Sequence, residues 1–359
     1  MERHRRYGAT VVAALLLVGC QSSKPLAVAV AMPAPAIVKA PPPPPPAPRP
    51  PEAPAGLATS IKGIVGAFDG RVGVAVRSID KGWSVDVNGS TRLPQQSVSK
   101  LWVALTVLDF RDQGRLKLED PVTVTREDLT LFHQPIAAMV RGDGFKTTVG
   151  ELLVRALTQS DNTANDRLLR YVGGPDAVRD MIRRKKLGDI RFGPGERLLQ
   201  AQTAGLDWKP EYSLGNGFVR ARAVLPLEAR QQAFEAYVAD PPDGAAPIAI
   251  ANALARLKKG ELLSADSTSW LITTMMQSHT GRQRLRGAVP TGWTFGHKTG
   301  TGQDLYSRTA GYNDVGILTA PDGHSYAITV MIGDTRRPIA ERQAMMQLVL
   351  LSVVSHHIG

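Results

Sequence analysis

Three short strings carry the residue types of nucleophilic catalysis, in this order along the chain: Ser97-Val98-Ser99-Lys100, Ser160-Asp161-Asn162 and Lys298-Thr299-Gly300. In the first, one helical turn separates a hydroxyl from an amine, so the two side chains can lie together. A serine hydroxyl is a poor nucleophile until a neighbouring base removes its proton. An amine can be that base when partial burial and adjacent positive charge lower its pKa. The spacing alone is weak, because it recurs at Ser78-Ile79-Asp80-Lys81. That copy lies between strand-like runs at 71–77 and 83–87 and reads as a hairpin turn. Ser97 instead opens an apolar helical stretch (Leu101, Trp102, Ala104, Leu105, Leu108) that stops near Gly114. The ordered trio, each member in a suitable context, is what carries weight.

The elements that must position these residues follow from the hydrophobic pattern. Residues 57–68 read as a helix, and 71–78 and 83–88 alternate as strands. From 97 to 290 helical signals dominate. Thr148-Val149-Gly150-Glu151 has the form of a capping box, and Gly173-Gly174-Pro175 ends one helix and begins another. Strand signals return at 293–301, 309–318 and 325–331, followed by a closing helix from about 338 to 356. The expected class is mixed α/β (α+β). It has an antiparallel sheet of about five strands built from both chain ends, flanking helices and a helical lobe, with the site between lobe and sheet. Along the third string's strand, Trp293, Phe295 and His297 share one face, and Thr294, Gly296 and Lys298 the other. His297 is therefore expected behind the strand, packed or hydrogen-bonded.

The front end addresses location. Arg3, Arg5 and Arg6 precede an apolar run from Ala9 to Val18 that ends at Gly19-Cys20. This is the layout of a secretory signal over residues 1–20, and it is too short to span a bilayer. Leu17-Val18-Gly19-Cys20 also resembles a bacterial lipoprotein signal, in which Cys20 becomes the lipidated first residue; plain signal cleavage is the alternative. Gln21, with no acidic residue beside it, favours outer-membrane sorting by the same resemblance. Cys20 is the only cysteine of 359 residues, so no intramolecular disulfide can form. Residues 21–55 are rich in Pro and Ala, with six consecutive prolines at Pro41–Pro46, and read as an extended tether. The catalytic domain is expected over 56–359.

The formal charge is +11. Without a basic helix, stacking aromatics or Cys/His ligand spacing, the excess does not point to nucleic acid. Anionic envelope surfaces or carboxylate-bearing substrates are the expected partners. There is no Gly-x-Ser-x-Gly string, the seven histidines are scattered, and no metal or cofactor is implied. His356-His357 at the final helix end suits solvent and helix-dipole preference.

With these residues in view, the region from 57 to 357 resembles a class A serine β-lactamase. The resemblance implies that Ser97 is acylated and that Lys100 assists it. Ser160 would relay a proton toward Lys100 or the leaving nitrogen, and Asn162 would hold Lys100 and the substrate amide. Ser160 or Asn162 capping the next helix is the plainer alternative. Lys298 and Thr299 would bind the substrate carboxylate, with Arg308 as a second contact. Gly300 would let the substrate lie against the backbone. The N–H groups of Ser97 and Thr301 would form the oxyanion hole.

For deacylation the family uses an omega-loop Glu followed four residues later by an Asn that together position the water. Glu196, in Gly195-Glu196-Arg197-Leu198-Leu199-Gln200, fits that Glu, and Gln200 replaces the usual Asn with a longer amide that can still hold a water. Glu211, in Trp208-Lys209-Pro210-Glu211, is the rival. The chain departs from the family by about 30 extra residues between Gln200 and the helix start at Pro247. That excursion, near 201–245, contains a helical run at 227–238 and could be a lid, a specificity wall or a packed insertion. Phe132, next to His133, is the expected aromatic gate. Three functions stay open at this point: a serine β-lactamase conferring β-lactam resistance, a D,D-peptidase or penicillin-binding protein acting on peptidoglycan stem peptides, and a non-hydrolytic lipoprotein that binds β-lactam or peptidoglycan. A lipid-anchored periplasmic monomer is expected in each case.

Overall fold

The structure, a computed structural model, describes residues 51–357. The expected signal, Cys20 and all but the end of the tether lie outside the described residues. The last tether residues rest on the body, since Ala53 packs beside the cluster that contains Leu57 and Ile61.

The sheet has five antiparallel strands in the spatial order Ser84–Val87, Arg71–Ser78, Ser325–Asp334, Tyr312–Thr319, Thr294–Thr301. The chain ends thus meet at its centre, as the pattern predicts. Both faces are covered, and side-chain alternation sorts the residues between them. Val72, Val74 and Val76 face a layer made by helices Leu57–Gly66 and Ile339–Ser355, with Ile61, Met346, Val349 and Leu350 filling it. Ala75, Val315, Ile317 and Met331 face the other way, against Ile250 and Ala253 of helix Pro247–Lys258.

The helical lobe is organised by Lys100–Asp112, in which every residue from Lys100 to Phe110 is buried. A helix buried on every side lies inside a domain, and the others of the lobe wrap it. The second Ser-x-x-Lys copy is a turn: Ser78 Oγ accepts the Lys81 N–H at 3.1 Å. At helix Val149–Val154, Thr148 Oγ1 accepts the Glu151 N–H at 3.2 Å, but the Glu151 carboxylate accepts from the Thr147 hydroxyl, so only half of the expected box forms. The fourth sheet strand begins at Tyr312 rather than 309. Residues Arg308–Thr309 instead pair with Asp304–Leu305, and Gly311 turns the chain at φ 101°.

The excursion near 201–245 is structured. It forms helices Gly217–Val224 and Leu227–Ala239, and Phe234, Tyr237 and Val238 pack on Leu199, Leu305 and Ala310. It is a packed insertion that ties the omega segment to the far end of the sheet.

Candidate active site

Strand Thr294–Thr301 is the sheet edge, and the lobe closes over it. The turn before Ser97 is clamped to this strand and to its neighbour, Tyr312–Thr319. Asn313 Nδ2 donates to the carbonyls of Pro94 (2.8 Å) and Gln95 (3.0 Å). A Cβ on Gly300 would stand 2.3 Å from the Gln95 carbonyl oxygen. Gly300 is therefore needed for docking the nucleophile's turn, a different reason from the substrate approach expected of it. Gln96 takes φ 53°, left-handed for a residue with a side chain. Residues Gln96–Ser99 form a 3-10 turn that leads directly into helix Lys100–Asp112.

Lys100 is 1% exposed. Its ammonium donates to Ser97 Oγ at 2.7 Å, to Asn162 Oδ1 at 2.9 Å and to the Glu196 carboxylate. An ammonium has three protons, so each is committed. Asn162 is fixed by its own Nδ2, which donates to the Leu131 carbonyl at 2.8 Å. The cap of helix Asn162–Tyr171 is neither Ser160 nor Asn162. Asp161 accepts the Ala164 N–H at 2.9 Å and the Ile136 N–H at 2.7 Å. Ser160 is thereby freed from capping. It sits at φ 59° after a π-helical turn, Arg155–Gln159, and its Oγ accepts from Lys298 Nζ at 2.9 Å.

Lys298 is fully buried and also donates to the Thr299 carbonyl at 2.8 Å. Burial first, then the neighbouring Lys100 charge, push its pKa well below the ordinary lysine value. A substrate carboxylate beside it would restore the charged form. His297 lies behind the strand as expected, buried, with Nδ1 2.8 Å from Asp314 Oδ1.

Glu196 begins helix Glu196–Thr203 and is 3% exposed. The helix start is capped from outside: Asp166 accepts the Glu196 N–H at 2.9 Å and the Arg197 N–H at 3.2 Å. Burial, and then the Glu196 charge, raise the pKa of Asp166. Gln200 Nε2 donates to Glu196 Oε2 at 3.2 Å and to Gln96 Oε1 at 3.0 Å. Glu211 lies exposed in a 3-10 turn, Pro210–Tyr212, whereas Glu196 is the carboxylate that meets Lys100.

Ser97, Ser160, Asn162, Gln200, Thr299 and Thr301 all line one cleft of about 390 Å³, with Phe132 and His133 at its rim. Phe132 is half exposed and packs edge-on against Phe218 of the insertion at 5.0 Å. A larger cavity of about 570 Å³, between Arg77, Asp189 and Arg256, contains none of the three strings. Residues of all three strings meet at the smaller one.

Arg308 is not part of this cleft. Its guanidinium forms a two-pronged pair with Asp334 (2.7 and 2.6 Å) and also binds Glu235. The arginine in the cleft wall is Arg284, unremarked in the sequence. It donates to the carbonyls of Gly300 (2.8 Å) and Asn313 (2.6 Å) and to Thr301 Oγ1, and lies over the Tyr312 ring at 3.7 Å. No local pattern marks it, because its partners are brought in by the sheet. Asp166, by contrast, was detectable: it follows Asn162 by four residues on one helix and shares its face.

The chain matches the model of the β-lactamase enzyme family over residues 56–351. It is 30% identical over 294 residues to the extended-spectrum β-lactamase PER-1 of Pseudomonas aeruginosa, covering 82% of this chain and 84% of that one. With β-lactamase VEB-1 of the same organism it shares 26% over 280 residues, 78% and 83% of the two chains. Among solved structures, the TLA-1 extended-spectrum β-lactamase superposes with a TM-score of 0.70 at 25% identity, covering 85% of this chain and 99% of that one. A β-lactamase from Chitinophaga pinensis gives 0.68 at 27%, covering 84% and 98%.

Proposed function

Because this chain belongs to the class A serine β-lactamase family, we propose that its cleft opens the lactam ring in two steps, with Ser97 as nucleophile and Glu196 as the base that releases the product. The observation that carries this assignment is the Lys100 ammonium, which touches Ser97, Asn162 and Glu196 at once in a buried site. Passing a Lys100 proton to Glu196 leaves an amine that takes the Ser97 proton as Oγ bonds to the lactam carbonyl carbon. The carbonyl oxygen becomes an oxyanion, held by the N–H groups of Ser97 and Thr301. The C–N bond breaks, and the nitrogen takes a proton from Ser160, which Lys100 replenishes; Glu196 then returns its proton to the Lys100 amine and is ionised again. Ionised Glu196 takes a proton from water, whose oxygen attacks the acyl carbon, and that proton passes through Lys100 to Ser97 Oγ as the ester bond breaks. Lys298 and Thr299 hold the substrate carboxylate. Arg284, bonded to Thr301, takes the place expected of Arg308.

The test is intact-protein mass spectrometry of the full-length chain mixed with a chromogenic cephalosporin. Turnover, with a transient adduct on Ser97 that Ser97→Ala abolishes, is expected. A permanent adduct in the unmutated protein would instead indicate a penicillin-binding peptidase. We further propose that Cys20 carries a lipid and holds a monomeric enzyme at the periplasmic side of the outer membrane, on the evidence of the residues before Cys20 and the Pro/Ala tether after it. Cys20→Ala should move the protein from the membrane fraction to the soluble one; unchanged fractionation would reject the anchor.

A further inference from the structure

Gln96, the residue before the nucleophile, is left-handed, and something must hold it there. Its backbone N–H donates to Asp243 Oδ2 at 2.7 Å. Its side-chain Nε2 donates to Tyr237 Oη at 2.6 Å, and Tyr237 Oη lies 3.3 Å from the same Asp243 oxygen. Asp243 therefore grips residue 96 twice, once directly and once through a tyrosine from insertion helix Leu227–Ala239. The Gln95 side chain donates to the Asp243 carbonyl and so binds the two segments again. On its other side Gln96 accepts from Gln200, which donates to Glu196. A continuous hydrogen-bonded path thus joins Asp243 to both catalytic steps.

Resting on the assignment of Ser97 and Glu196 above, we propose that Asp243 and Tyr237 are positioning residues. They fix the Ser97 turn through Gln96 and, through Gln96 and Gln200, help to hold the Glu196 carboxylate in place.

The geometry supports both halves. Asp243 is 1% exposed and forms no ion pair among the described residues, and its Oδ1 has no hydrogen-bond partner there. The nearby cations are committed elsewhere: Arg92 pairs with Asp189, and Arg191 with Asp240. The titratable groups acting on Asp243 are Tyr237 from the insertion helix and Glu196 from the omega helix. Burial pushes the Asp243 carboxyl up to about 7 and the Glu196 charge adds to this, while the Gln96 and Tyr237 hydrogen bonds oppose it. Burial and the Asp243 charge hold the Tyr237 phenol well above its ordinary value, so it stays a donor. Oδ2 accepts from Gln96 whether or not the acid carries its proton. The turn is held in both states.

The experiment is stopped-flow acylation of the full-length chain between about pH 6 and about pH 8, with thermal melting of every variant. Asp243→Asn keeps the acceptor oxygen, so it should acylate within about threefold of the parent. Asp243→Ala leaves the Gln96 N–H unpaired and should slow acylation by about tenfold or more. Tyr237→Phe removes only a hydroxyl and should slow it by about threefold in a protein that stays folded. Unchanged acylation in both Asp243→Ala and Tyr237→Phe would overturn the positioning role. Absence of any Ser97 adduct in the unmutated enzyme would defeat the underlying hydrolase assignment instead, so the failures are distinguishable.

Discussion

Replacing Glu196 by Gln should separate the two chemical steps. The swap preserves volume in a site that is 3% exposed, and the amide can still meet Lys100 and Gln200. What it cannot do is take a proton. A positioned general base contributes about 10²- to 10⁴-fold. The middle of that range, about 10³, corresponds to about 4 kcal/mol of barrier on deacylation. Acylation should suffer less. Lys100 keeps its contacts with Ser97 and Asn162, so the nucleophile stays in place. The stability loss should stay within the roughly 3–5 kcal/mol typical of a stranded buried charge. The assay is stopped-flow absorbance with a chromogenic cephalosporin, followed by quench and mass analysis. A burst of one product equivalent, a slow steady state and a persistent Ser97 adduct are expected. Steady-state turnover equal to that of the unmutated enzyme would refute the reasoning and move the base elsewhere.

Three further outcomes follow from particular contacts. Arg284→Lys cannot reproduce the donations to Gly300, Asn313 and Thr301, so KM for a carboxylate-bearing lactam should rise roughly tenfold with a smaller change in kcat; equal changes in both would argue against a binding role. Gly300→Ala must push the Gln95 carbonyl away, with a loss of about 1–3 kcal/mol and slower acylation; an unaltered melt and burst rate would show that the turn is not clamped there. The third concerns pH. Asp243 has a folded value of about 7 against 3.8 for the ordinary group. Its contribution to stability is therefore fully present below about 4 and is lost as pH rises through about 7, on the order of 4 kcal/mol in total. Asp243→Asn should accordingly melt higher than the parent at pH 8, with the advantage shrinking toward about pH 4; a pH-independent difference would contradict this.

Much of the site was legible because its chemistry is local. Ser97 and Lys100 are one helical turn apart, Glu196 and Gln200 are another, and Lys298 to Thr301 occupy consecutive strand positions, so short-range geometry alone places each set together. The fold class was legible for a related reason: strand signals near both chain ends, at 71–78 and 325–331, with helical periodicity between them, imply one sheet with a helical lobe. Where the reading went astray, the deciding partner was distant in the chain. Arg308 was close to the third string in sequence, yet Asp334 and Glu235 hold it away, while Arg284 reached the cleft because the sheet brings Gly300 and Asn313 beside it. The choice between Glu196 and Glu211 was likewise a matter of which loop the lobe buries. The grip of Asp243 on Gln96 joins residues 147 apart. Sequence alone determined which residues could react and which lie on one helix face or strand. Tertiary structure decided which were desolvated, which charges were already paired and which backbone turns were held under strain, because burial and pairing depend on everything packed around a group.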